Sequence, residues 1–220
     1  MPLKVLFIGN SHTYLHKMPW LIQCLARAEH RGCSILVTQR TENGAGLKTH
    51  WDDRRTIDQI DAEPWDAVVL QDRSGGPIED KAAFYRYARL LAGVVREKGA
   101  DPVFYMTWAH RDRPETQGII TEAYRTAARQ LEAGLVPVGM AWERVRREKP
   151  DIPLYHSDGR HAGPAGAYLA ACVFYATLFN TSPAGLPATF TVKGKRRVDL
   201  DADTARYLQQ TAFRTVQNGS

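Results

Sequence analysis

Apolar and polar positions alternate in blocks along this chain. A short apolar run at Lys4 to Ile8 ends at Gly9-Asn10, and apolar residues then recur at helical spacing from His16 to Arg31 (Trp20, Leu21, Cys24, Leu25, Ala28). The pattern predicts a strand followed by a helix. Ser34 to Val37 predicts a second strand, followed by a polar, glycine-containing loop from Thr41 to His50. Asp66 to Leu70 is a third strand. A helix from about Asp80 to Lys98 follows, its apolar stripe made by Phe84, Tyr87, Leu90, Leu91, Val94 and Val95. Pro102 to Met106 is a fourth strand, and Leu135 to Val138 a short fifth, reached through a helix from about Pro114 to Glu132. Helices are expected over about Ala141 to Lys149 and about Pro164 to Leu178, the latter turning Leu169, Cys172, Val173, Tyr175 and Ala176 inward. The residues from about 184 onward form a small extension ending in a helix from about Ala202 to Val216.

Five short strands alternating with helices predict a three-layer α/β/α sandwich around a five-stranded parallel sheet, because parallel strands need crossover connections and those are helices. The 220 residues fit one domain spanning 1–220. No repeat or low-complexity tract interrupts it. In such sheets ligands and chemistry gather at the carboxyl ends of the strands.

Composition changes this picture little. Hydrophobic residues make up 44% and charged residues 24%, as in ordinary globular proteins. No apolar run reaches the ~18 residues of a membrane span. The N-terminal stretch is too short for a signal-peptide core, so a cytoplasmic location is expected, with no membrane partner. Cys24, Cys33 and Cys172 are odd in number, lack metal-ligand spacing and read as reduced packing residues. The net charge is +5, but the basic residues cluster only at Arg144 to Arg147 and Lys193 to Arg197, without interleaved aromatics. They read as solvated surface, and no nucleic-acid partner is expected. Asn180-Thr181-Ser182 fits a glycosylation acceptor and, without a secretory signal, reads as chance.

Asp158 and His161 stand three residues apart, just before Gly163-Pro164. On residues alone, the pair fits a helix cap, a metal site or two members of a hydrolytic triad. Ser11, just past the first strand and ahead of a helix, is placed either to cap that helix or to act as a nucleophile. A doubly wound sheet brings the loops after its first and last strands onto one edge. His12, His16 and His156 lie near these residues in sequence, but their spacing matches no usual ligand pattern, and neither metal nor cofactor is expected.

The ordered set of motifs resembles the SGNH, or GDSL-like, hydrolase superfamily. Gly9-Asn10-Ser11 resembles its first block, Asn43-Gly44-Ala45-Gly46-Leu47 its second, and Asp158-Gly159-Arg160-His161 matches the Asp-x-x-His of its last. The resemblance implies the flavodoxin-like SGNH fold and a serine esterase with Ser11 as nucleophile, His161 as base and Asp158 orienting it. The N–H groups of Ser11 and Gly44 would line the oxyanion hole. Two departures stand out: Asn10 replaces the usual Asp, and the third block, Val68 to Pro77, has no Asn. Gln71 is the candidate side-chain donor in its place, with Ser74 or the Gly75-Gly76 backbone as alternatives. Asn10, Thr107 and Trp108 are candidate substrate contacts, Trp108 being equally suited to the core. The implied partner is a small ester, with O-acetylated sugars as one class. The same residues would serve an O-acyltransferase, and the altered third block leaves room for a non-catalytic binding protein; the oligomeric state is not legible.

Overall fold

The computed structural model describes residues 1–29 and 34–219. Five parallel strands, β1 (Leu3–Gly9), β2 (Ile35–Thr41), β3 (Ala67–Leu70), β4 (Asp101–Tyr105) and β5 (Gly134–Val136), form a sheet in the order β2-β1-β3-β4-β5. Residues of β1 alternate between two cores. Val5 and Phe7 face the layer of α2 (Met18–Ala28), α8 (Val138–Glu148) and α9 (Pro164–Phe179), while Leu6 and Ile8 face α3 (Leu47–Asp52), α4 (Arg54–Asp61), the short α5 (Gly76–Glu79), α6 (Lys81–Glu97) and α7 (Gln117–Gln130). Burial on both faces explains why the strands read as unbroken apolar runs. The expected fold class holds.

Three details differ from the sequence reading. The stretch after the first strand is broken into α1 (Ser11–Tyr14), a 3₁₀ turn and α2, because His16 and Lys17 take positive φ between them. The rest of the expected helix, at 30 and 31, lies outside the described residues, as does Cys33; Cys24 and Cys172 are free thiols. The polar stretch expected to be a loop closes into α3. α8 starts at Val138, with Pro137 at its cap, which shortens β5.

α9 is buried on all sides from Ala165 to Ala176, not only along the expected stripe. It lies between the sheet and the C-terminal α10 (Ala202–Gly219), and it ends at Asn180 in the left-handed conformation. Phe190 and Val198, from the antiparallel hairpin of β6 (Thr189–Val192) and β7 (Lys195–Asp199), join the same core. The hairpin was not expected. Its turn, Lys193-Gly194, takes positive φ at both residues, and the basic run that follows is a strand of this ribbon. Among the described residues, no helix is long and apolar enough to cross a membrane.

Candidate active site

The turn after β1 is built around Gly9. A Cβ there would stand 2.3 Å from Gln71 Oε1 and 2.7 Å from Thr13 Oγ1, so only glycine fits. The Gly9 carbonyl accepts from the Glu42 N–H and from His50 Nε2, whose ring lies buried at the end of α3. Asn10 caps α1: its Oδ1 accepts from the His12 N–H at 3.0 Å, and its Nδ2 donates to the Ala45 carbonyl at 2.7 Å. Ser11 is therefore freed from capping and stands as the first helical residue. Its N–H has no acceptor among the described residues, as expected at a helix start.

The other half of the site is a closed loop. Tyr155 bridges to Ala162, and the His156 N–H donates to the His161 carbonyl at 2.8 Å. Gly159 sits at φ +70°, which glycine adopts without steric cost. Asp158 Oδ1 accepts from the N–H groups of Arg160 and His161, leaving Oδ2 to accept from His161 Nδ1 at 2.6 Å. Burial opposes the Asp158 carboxylate, but these three hydrogen bonds outweigh it and hold its carboxyl well below the usual range. His161 Nε2 reaches Ser11 Oγ at 2.8 Å, across 150 positions of sequence. Ser11, His161 and Asp158 thus form one chain of hydrogen bonds. Exposure rises along it, from 6% at Ser11 to 39% for the Asp158 side chain, so the serine lies at the floor of the site and the acid at its rim.

Gly44 takes φ +69° on the Glu42 to Gly46 loop, and its N–H has no acceptor among the described residues. That loop is pinned from two sides, by Asn10 on the Ala45 carbonyl and by Asp72, whose Oδ1 accepts from the Leu47 N–H at 2.9 Å. A Cβ on Gly46 or Gly76 would stand 2.4 or 2.1 Å from an Asp72 oxygen. Sequence reasoning missed Asp72. Its signal was a carboxylate at the end of a wholly apolar strand, a costly placement unless N–H groups receive it.

Four expected site residues are placed otherwise. Gln71 is fully buried: its Oε1 accepts from the Asn10 N–H and the Thr13 hydroxyl, and its Nε2 donates to the Asp72 carbonyl. It braces the turn that carries Ser11. Asn10 has both ends of its amide engaged on the turn, its Oδ1 at the His12 N–H and its Nδ2 at the Ala45 carbonyl. Thr107 is fully buried. Trp108 is too, stacked on Trp142 at 3.9 Å and 3°, with its Nε1 donating to the Arg160 carbonyl at 2.9 Å. Trp108 supports the catalytic loop from within the core.

Behind the triad lies a second imidazole. The His12 and His161 rings are 5.2 Å apart, and Trp108 packs on the other side of His12 at 5.1 Å. Asn10 Oδ1 is an acceptor, so the 3.2 Å contact requires the proton on His12 Nδ1, and Nε2 then accepts from the Ser74 hydroxyl at 2.9 Å. Ser74 is thereby committed as a donor and is unavailable to an oxyanion. Burial, reinforced by the charges of His161 and His110, lowers the His12 pKa to about 3. Its folded value lies below the unfolded value of 6.5, so it does not affect stability above pH 6.5. Between there and about 3 the unfolded chain binds a proton that the folded chain refuses. Stability should therefore fall on acidification, by up to ~1.4 kcal/mol per pH unit for one proton. His50, lowered mainly by burial, acts in the same direction. Urea melts of wild type and His12→Asn between pH 7 and 4 test this: the variant should show the shallower slope, and equal slopes would rule out His12 as a source. Among the described residues, no three His, Cys, Asp or Glu side chains converge to hold a metal.

No protein-family model and no curated protein matches the sequence. Solved structures do. A candidate SGNH hydrolase from Slackia heliotrinireducens is 29% identical, with TM-score 0.70, over 81% of this chain and 100% of the other. A DUF4886 family protein from Bacteroides uniformis matches over 100% of this chain and 96% of its own, at 18% identity and TM-score 0.80. An acetyl xylan esterase, AlAXEase, matches over 77% and 96%, at 15% identity and TM-score 0.63. The chain has the fold of the SGNH hydrolases, and the 29% identical match supports a hydrolase kind of function.

Proposed function

We propose that the protein is a serine esterase that cleaves small acyl esters, with O-acetyl groups on carbohydrates as the substrate class. One observation carries the reading: the continuous hydrogen-bond chain from Ser11 Oγ through His161 to Asp158, at 2.8 and 2.6 Å. A serine hydroxyl is a weak nucleophile until a base takes its proton. His161 Nε2 takes it as Ser11 Oγ attacks the ester carbonyl. Asp158 holds the other ring proton and stabilises the imidazolium that forms. The N–H groups of Ser11 and Gly44, both without acceptors among the described residues, receive the oxyanion. Collapse expels the alcohol, which leaves with the proton from His161, and water then attacks the acyl-serine by the same route. The oxyanion hole is backbone-built in this reading: Gln71 is fully buried with its amide donating to the Asp72 carbonyl, and Ser74 donates its hydroxyl hydrogen to His12. The sugar substrate class rests on the family resemblance, in which carbohydrate deacetylation is common.

A serine-directed fluorophosphonate separates this reading from a binding protein of the same fold. Wild type should gain one adduct, located on Ser11 by peptide mass spectrometry, and Asp158→Asn should label far more slowly. Complete absence of an adduct on folded wild type would sink the esterase reading. Acetate released from an acetylated monosaccharide in plain buffer would exclude an obligate acyltransferase, which needs an added alcohol.

A further inference from the structure

On the far side of the Trp108–Trp142 stack from His12, a cavity of about 310 Å³ opens between α7 and α8. Its lining includes Gln117, Trp142, Glu143, Arg146, Arg147 and Tyr155. We propose that it is a second ligand site, taking the oxyanion head group, carboxylate or phosphate, of a small molecule. Two independent observations support this. Trp142 is 1% exposed, and its indole N–H faces the Tyr155 hydroxyl but makes no hydrogen bond of good geometry among the described residues. A buried donor so weakly satisfied is costly, and an incoming acceptor relieves it. The neighbouring Tyr155 hydroxyl donates to the Ala109 carbonyl at 2.8 Å and accepts from Arg146 at 3.0 Å, so the indole N–H shares this one acceptor with the guanidinium.

The second observation is charge. Arg146 is half-buried and meets only neutral acceptors: the Tyr155 hydroxyl, the Arg111 carbonyl at 2.9 Å and, at the limit of contact, the His110 carbonyl. Among the described residues, no carboxylate pairs with it. A partly desolvated guanidinium without a counter-anion favours an anion beside it. Arg147 adds a second positive charge at the mouth, although it also touches Glu148. Glu143 is the one acidic side chain in the lining, and it is exposed, so solvent screens its repulsion. Gln117 is already bonded to the Ala109 N–H and to Thr121 and contributes shape only.

The site is separate from Ser11, and the proposal does not depend on the esterase reading. The test is titration of the full chain with sodium phosphate and with sodium acetate, each up to about 50 mM at constant ionic strength, followed by the tryptophan Nε1–H resonances. One indole resonance, assigned to Trp142 by its loss in Trp142→Phe, should shift saturably with at least one anion, and Ser11→Ala should respond identically. Trp142→Phe should weaken binding about fivefold, read by calorimetry, for the lost hydrogen bond. Glu143→Gln, an exposed change with little bearing on folding, should tighten it. No saturable shift with either anion, or dissociation constants unchanged in Glu143→Gln and in folded Trp142→Phe, would overturn the proposal. Whichever anion binds more tightly identifies the head group.

Discussion

Ser11→Ala is expected to lower turnover of p-nitrophenyl acetate at pH 8 by roughly 10⁴-fold or more, while leaving the melting temperature nearly unchanged. The change removes one oxygen that is bonded to His161 Nε2 and, among the described residues, to no other polar group. The cap of α1 belongs to Asn10, and the turn is braced by Gln71, so neither depends on the serine side chain. What is lost is the atom that forms the covalent intermediate, and the remaining oxyanion donors and binding contacts supply only the residual rate. Activity that survived within tenfold of wild type would remove Ser11 from the mechanism. Loss of activity together with a collapsed melting temperature would instead indicate a folding defect, and circular dichroism of the variant distinguishes the two.

The second large effect concerns stability. Gly166, in the first turn of α9, lies where a Cβ would stand 2.2 Å from the Leu154 carbonyl oxygen and 2.3 Å from the edge of the Trp142 ring. Neither neighbour can yield easily, since the carbonyl is backbone and Trp142 is held flat against Trp108. Gly166→Ala must therefore push α9 away from the sheet layer or unstack the two indoles. Overpacking of this kind costs about 3 kcal/mol, equivalent to roughly 6–12 °C in Tm for a chain of this size. Gly93→Ala is the control. That glycine lies within α6 with nothing inside 4 Å of the added methyl, and alanine is the better helix former, so stability should rise by up to ~1 kcal/mol. Denaturant melts of both variants check the pair; a Gly166→Ala protein as stable as wild type would mean that α9 is free to shift.

Gly166 also illustrates what a sequence reveals. That a helix begins at Pro164 follows from Gly163-Pro164 and the apolar run behind it, and the structure agrees. That this helix is buried all round, so that one methyl cannot be added, depends on α10 and the hairpin covering its outer face, and no pattern within the helix announces a cover supplied by later segments. The oxyanion donors show the same limit. Gln71 was a reasonable candidate by type and position, because an amide at the end of β3 lies beside the nucleophile turn. With the strands together, one of its amide hydrogens goes to the Asp72 carbonyl, and its oxygen accepts from Asn10 and Thr13.

By itself, the sequence determined the alternation of strands and helices, and with it the parallel sheet, since apolar periodicity is a local property that sets which side of each element is buried. It also determined that Asp158 and His161 share a loop, because three residues cannot carry them far apart. The tertiary structure decided that Ser11 meets His161 across 150 positions, that Asn10 rather than Ser11 caps the helix, and that His12 stays neutral against Trp108. The reason is common to all three. What a polar side chain does depends on which partner comes within about 3 Å of it, and those partners come from segments that only the folded sheet edge brings together.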